Sequence, residues 1–227
     1  MKRKLTPIII GIAGLALPMS AHAATVTWGS VAAITGAGDI DSSGLDFIVG
    51  ANFSGTTTLV NNGTADINFL NVNPGASTLV GSGITIGASS DWVNWGTSGS
   101  NSSIAGTFGT VLDSNIGIEI PGGPTSATIT LSGLNSGTTY RVQFFADSTG
   151  NNTQSISGSG SMNSLSGQFV TGTFTADGLA QVLDVSFTSG DFGVANALTI
   201  GAVPVPEPSA ALLGGLGLLG LLRRRRD

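Results

Sequence analysis

Any chemistry this chain performs rests on oxygen atoms and indole rings. It contains no cysteine, and its one histidine, His22, lies near the N-terminus. Thiolate and imidazole metal centres therefore lose their usual ligands, and Ser-His-Asp or Cys-His catalysis lacks its base. Between residues 24 and 205 stand eleven carboxylates, a single cation, Arg141, and the run Asp91-Trp92-Val93-Asn94-Trp95. An indole covers the apolar face of a pyranose while neighbouring Asp and Asn groups bond its hydroxyls, so Trp92 and Trp95 are candidate sugar contacts. In an extended strand a spacing of three sends the two rings to opposite faces, so the alternative places one in a core and leaves the other exposed. Trp28 is expected to pack an N-terminal strand.

Asp39, Asp41 and Asp46, around the turn at Gly44, offer oxygen ligands at the short spacing of a calcium loop. The twelfth position of such a loop would be Gly50 rather than an acid, and a solvated turn is the competing reading. Paired carboxylates can hydrolyse glycosides, but no motif singles out a pair among the eleven. One cation against eleven carboxylates gives this span a formal charge of −10, which repels phosphate backbones and excludes nucleic acid as a partner. Arg141 is expected to pair with a nearby Asp at the surface. No cofactor is called for.

The elements that would position these residues are strands. Gly, Ser, Thr and Asn dominate residues 24–203, and β-branched and aromatic residues come in short runs. Alternation is clean over Ala127 to Leu131, Tyr140 to Phe144 and Leu183 to Phe187. Further runs are Thr25 to Trp28, Leu45 to Ala51, Thr57 to Val60, Ala65 to Leu70, Ile84 to Ile86, Ile116 to Ile120, Gln168 to Thr175 and Ala197 to Ile200. Turn clusters such as Asn61-Asn62-Gly63 and Asn73-Pro74-Gly75 separate them. The expected fold is all-β: one antiparallel β-sandwich, jelly-roll-like, over residues 24–203. No stretch shows sustained helical periodicity. Gly96 to Gly109 and Ser148 to Gly167 read as long surface loops.

Both ends carry export signals. Lys2, Arg3 and Lys4 precede an apolar stretch from Leu5 to Leu17, and Ala21-His22-Ala23 follows; residues 1–23 read as a signal peptide cleaved before Ala24 after passage through the Sec translocon. At the other end, Val205-Pro206-Glu207-Pro208 leads into an uncharged run, Ser209 to Leu222, and then Arg223, Arg224, Arg225 and Arg226. An apolar helix followed by arginines is a stop-transfer arrangement, because positive charge stays on the cytoplasmic side. At about 1.5 Å per residue, helix 209–222 covers only about 21 Å of a hydrocarbon core about 30 Å thick. Gly214, Gly217 and Gly220 stripe one face, where another membrane helix can approach closely. This reads as a transient hold.

The order of Pro-Glu-Pro, apolar helix and arginine block over residues 204–227 resembles the PEP-CTERM sorting signal of exported proteins of Gram-negative bacteria. The resemblance implies an exosortase as partner, an integral-membrane enzyme that cuts near Pro-Glu-Pro. An ordinary tail anchor without processing is the alternative. Within the domain, Leu131-Ser132-Gly133-Leu134-Asn135-Ser136-Gly137-Thr138-Thr139-Tyr140 resembles a run of fibronectin-III-like and jelly-roll sandwiches. There the tyrosine hydroxyl bonds back to upstream backbone while its ring joins the core. The portion from Gly167 to Ile200 resembles the closing strands of galactose-binding-like modules, which implies carbohydrate as a ligand class. The functional expectation is a non-enzymatic component of the cell surface or extracellular matrix that contacts polysaccharide. The alternative is a purely structural coat protein with no specific ligand.

Overall fold

The computed structural model describes residues 24–97, 104–119, 124–189 and 192–204. The N-terminal segment 1–23, with Ala21 and Ala23, lies outside the described residues, as does 205–227 with the Pro-Glu-Pro motif, the apolar run and the arginines. Seventeen strands are described. The first nine are β1 (Thr27–Trp28), β2 (Ala32–Ala33), β3 (Phe47–Phe53), β4 (Thr58–Asn61), β5 (Asp66–Val72), β6 (Ser77–Gly81), β7 (Ile84–Ala88), β8 (Val93–Gly96) and β9 (Asn115–Glu119), with helix α1 (Gly106–Leu112) between the last two. The rest are β10 (Ser126–Ser132), β11 (Thr139–Ala146), β12 (Thr153–Ile156), β13 (Met162–Asn163), β14 (Gln168–Thr175), β15 (Gln181–Ser189), β16 (Phe192–Ala195) and β17 (Ala197–Ala202).

They form an eight-stranded sheet in the order β1-β14-β11-β17-β3-β5-β4, with β2 also on β14, a six-stranded sheet β13-β12-β15-β10-β7-β6, and a small sheet β16-β9-β8. The two large sheets share one hydrophobic cluster. Phe53, Tyr140, Val142, Phe144, Leu198 and Ile200 enter it from the larger sheet, and Ile84, Ile86, Ile129, Leu131, Leu183 and Val185 from the smaller. Strand β10 shows why: in Ser126-Ala127-Thr128-Ile129-Thr130-Leu131-Ser132 every second side chain is buried, so one face is core and the other carries hydroxyls to solvent. The hairpin β6–β7 turns on Ser82 and Gly83, both with positive φ (50° and 78°), the geometry that matches strand twist.

The all-β, antiparallel expectation holds in part: the described residues are mostly β and the sheets mostly antiparallel, with three corrections. Strands β3 and β5 pair in parallel, Gly50 opposite Phe69 and Asn52 opposite Asn71, so the large sheet is not purely antiparallel. The segment read as a loop to Gly109 contains the start of α1. Glycine, threonine and valine give this seven-residue helix little intrinsic propensity, but Phe108, Val111 and Leu112 bury against Val60, Ile67, Phe69 and Phe145, and that packing holds it. The larger sheet is thus covered on both faces, which is why consecutive Phe144 and Phe145 are both fully buried, in different clusters. The segment Ser148 to Gly167 is likewise built, containing β12, β13 and a 3₁₀ turn at Ser164–Ser166. Gln154 there is fully buried; its Nε2 donates to the Val194 carbonyl at 2.6 Å and its Oε1 accepts the Val194 N–H at 2.7 Å. One side-chain amide thereby stands in for a strand neighbour and ties β12 to β16.

Candidate functional site

Trp92 is 2% exposed and its Nε1 donates to the Thr128 carbonyl at 3.0 Å. With its ring in the core and its N–H satisfied, it presents no face to a sugar, so that expectation is corrected for Trp92. The residue precedes β8 rather than lying in it, and the strand sends Val93 and Asn94 outward instead. Trp95 is half-buried. It meets Phe192 edge-on at 4.7 Å, and its ring lies so close over Gly117 that a Cβ there would stand 2.4 Å from ring carbons. The two indoles therefore do not divide into core and exposed; both pack against the same cluster. Trp28 packs as expected, pressed on Gly172 of β14 with its Nε1 donating to the Ser157 carbonyl at 3.2 Å.

The three acids of the proposed calcium turn diverge. Asp39 accepts from the Gly36 N–H at 2.9 Å and from the Thr35 hydroxyl, closing a short turn. Asp41 pairs with Arg141 at 2.7 Å and accepts the Ser43 hydroxyl at 2.6 Å. The backbone N–H of Asp46 donates to the Ala202 carbonyl at 2.9 Å. Among the described residues no group of three His, Cys, Asp or Glu side chains is placed to hold a metal ion. The contacts of Asp39 and Asp41 match the solvated-turn alternative, and Asp41 fastens the loop to the outer face of the larger sheet. Gln143, buried and not anticipated, holds the same loop by accepting the Asp41 N–H at 2.7 Å and donating to the Asp39 carbonyl at 3.0 Å. Arg141 pairs at the surface with an aspartate, as expected.

Tyr140 behaves as the resemblance implied. Its hydroxyl accepts the Asn135 N–H at 3.0 Å, and its buried ring stacks on Phe174 at 5.8 Å. This corner fixes the start of β11, and β11 in turn fixes where the chain leaves the domain. Ala202 closes β17 opposite Tyr140, and the Val203 N–H donates to the Thr139 carbonyl at 2.9 Å. Pro204 is exposed.

Beside this exit lies a hollow of about 360 Å³ lined by Ala24, Thr25, Thr27, Thr139, Thr173, Phe174 and Thr175. Register brings the threonines together: Thr27 faces Thr173 across β1 and β14, and Thr139 faces Thr175 across β14 and β11. The last two hydroxyls lie 3.1 Å apart. Sequence reasoning passed over this group, although Thr171, Thr173 and Thr175 recur at the strand period of two. Ala24, the expected first residue after signal cleavage, stands at the same end of the sheet as the exit.

Residues 204–226 match the PEP-CTERM protein-sorting motif. The match begins two residues after the end of β17. The motif implies an exported protein that an exosortase sorts and processes. No curated protein and no solved structure matches the chain significantly.

Proposed function

We propose that this chain is a non-enzymatic component of the cell surface or extracellular matrix: an acidic β-domain delivered by export, held by its tail, and released or transferred by an exosortase. The observation that carries the export and release in this reading is the match of residues 204–226 to the sorting motif, which begins two residues after β17 ends. Of the two roles weighed from sequence, the structural coat gains support from the positions of the indoles. Trp92 is core and Trp95 is half-buried against Gly117 and Phe192, which leaves little indole surface for stacking on a sugar. The Tyr140 corner supports kinship with jelly-roll sandwiches, as a variant carrying one parallel pair. A polysaccharide-binding panel with the purified exported protein tests the role. Absence of binding by the parent supports the coat, whereas binding that survives Trp92→Ala and Trp95→Ala in folded protein restores a ligand role on some other surface.

A further inference from the structure

The distance between fold and membrane is set by chain length. From Val203 to Pro206 is three residues, about 10 Å when fully extended, and from Val203 to Ser209 six residues, about 20 Å. An enzyme that grips Pro206, Glu207 and Pro208 therefore works against the end of the larger sheet from which Val203 emerges. The surface there is the threonine hollow. Thr25, Thr27, Thr173 and Thr175 are exposed, Thr139 is half-buried, and none of the described residues that line it is charged. Threonine hydroxyls both donate and accept, which suits polar groups and backbone of another protein. A lipid surface is the poorer occupant: juxtamembrane contact relies on basic and aromatic side chains, and among the described residues that line the hollow none is basic and Phe174, 3% exposed, is the single aromatic.

We propose that this hollow, formed by Thr25, Thr27, Thr139, Thr173 and Thr175, is the docking face by which the folded domain meets the exosortase that receives its sorting segment, an inference that rests on the sorting reading above. The enzyme then reads two things together, the motif and the edge of the fold beside it.

The test uses the full chain in a host that carries the exosortase, with loss of the arginine-bearing C-terminus followed over time by intact mass. Thr27→Arg with Thr175→Arg places two cations in the hollow at exposed positions. The expected result is processing slowed at least about tenfold, the change that about 1.4 kcal/mol of binding produces, with an unaltered melting temperature. Thr128→Arg with Thr130→Arg, on the solvent face of the six-stranded sheet, is expected to leave processing unchanged. Inserting eight Gly/Ser residues between Val203 and Pro204 separates contact from obstruction, and slower processing is expected. Parental rates in the hollow variants overturn the docking face, and so does faster processing with the insertion, which marks the domain as an obstacle. Unslowed processing of the hollow variants, accompanied by gained retention on anionic membranes, assigns the face to lipid and equally overturns it. If the parent itself is never processed, the sorting reading falls first and the docking face with it.

Discussion

Trp92→Ala places the fate of the indole on a measurable scale. The side chain is 2% exposed, and truncating a buried tryptophan costs about 3–5 kcal/mol through lost burial and the cavity left behind. The Nε1 hydrogen bond to the Thr128 carbonyl adds up to about 1 kcal/mol. That addition is blunted because the same carbonyl also accepts the Ser89 N–H at 3.0 Å and is not orphaned by the change. A loss of about 4 kcal/mol is a large share of the 5–15 kcal/mol that typically holds a domain together. Urea denaturation of the exported protein, followed by circular dichroism, is the assay. With a slope of about 2 kcal/mol per molar, the midpoint should fall by about 2 M. Trp95→Ala, at a half-buried position, should cost clearly less. A Trp92→Ala loss below about 1 kcal/mol refutes the core assignment and returns this indole to the surface.

Tyr140→Phe keeps the stacked ring and removes only the acceptor for the Asn135 N–H, so a loss of about 0.5–1.5 kcal/mol in the same assay is expected. The Arg141–Asp41 pair, with side chains 22% and 38% exposed, should show a coupling of about 0.2–1 kcal/mol in a double-mutant cycle, shrinking as salt is added. Gly109→Ala reverses the usual sign: in an open helix alanine gains about 0.4–1 kcal/mol, but here its Cβ would meet the Ile104 carbonyl oxygen at 1.9 Å, so the melting temperature should fall. Adding calcium after chelation should leave the melting temperature unchanged, and a rise that Asp41→Asn abolishes would reinstate the metal turn.

The sheets were legible where one face is buried and the other wet. Ala127 to Leu131 and Leu183 to Phe187 alternate because the smaller sheet has core on one side only, and they lie inside β10 and β15. Alternation fades in β17, where all six residues are buried because the six-stranded sheet covers one face, while α1 near Ala197 and the segment Leu45 to Phe47 over Gly201 cover the other. The polar segment Ser148 to Gly167 was misread because composition does not reveal that Asn152, Gln154 and Ser164 are buried, with Gln154 bonded to the distant Val194 backbone and Ser164 to the Gly150 carbonyl. Helix α1 is short and poor in helix formers, so tertiary contact rather than local preference decides it. Of the site, the corner at Tyr140 and the sorting motif were visible because each is contiguous in the chain. The threonine hollow was not, because register between β1, β14 and β11 assembles it from three distant segments.

Delivery and processing are tested most directly by the intact mass of the protein recovered from its native host. The account predicts a chain that lacks residues 1–23 and ends near Pro206-Glu207-Pro208, without Arg223 to Arg226. A mature chain that still carries the four arginines contradicts it.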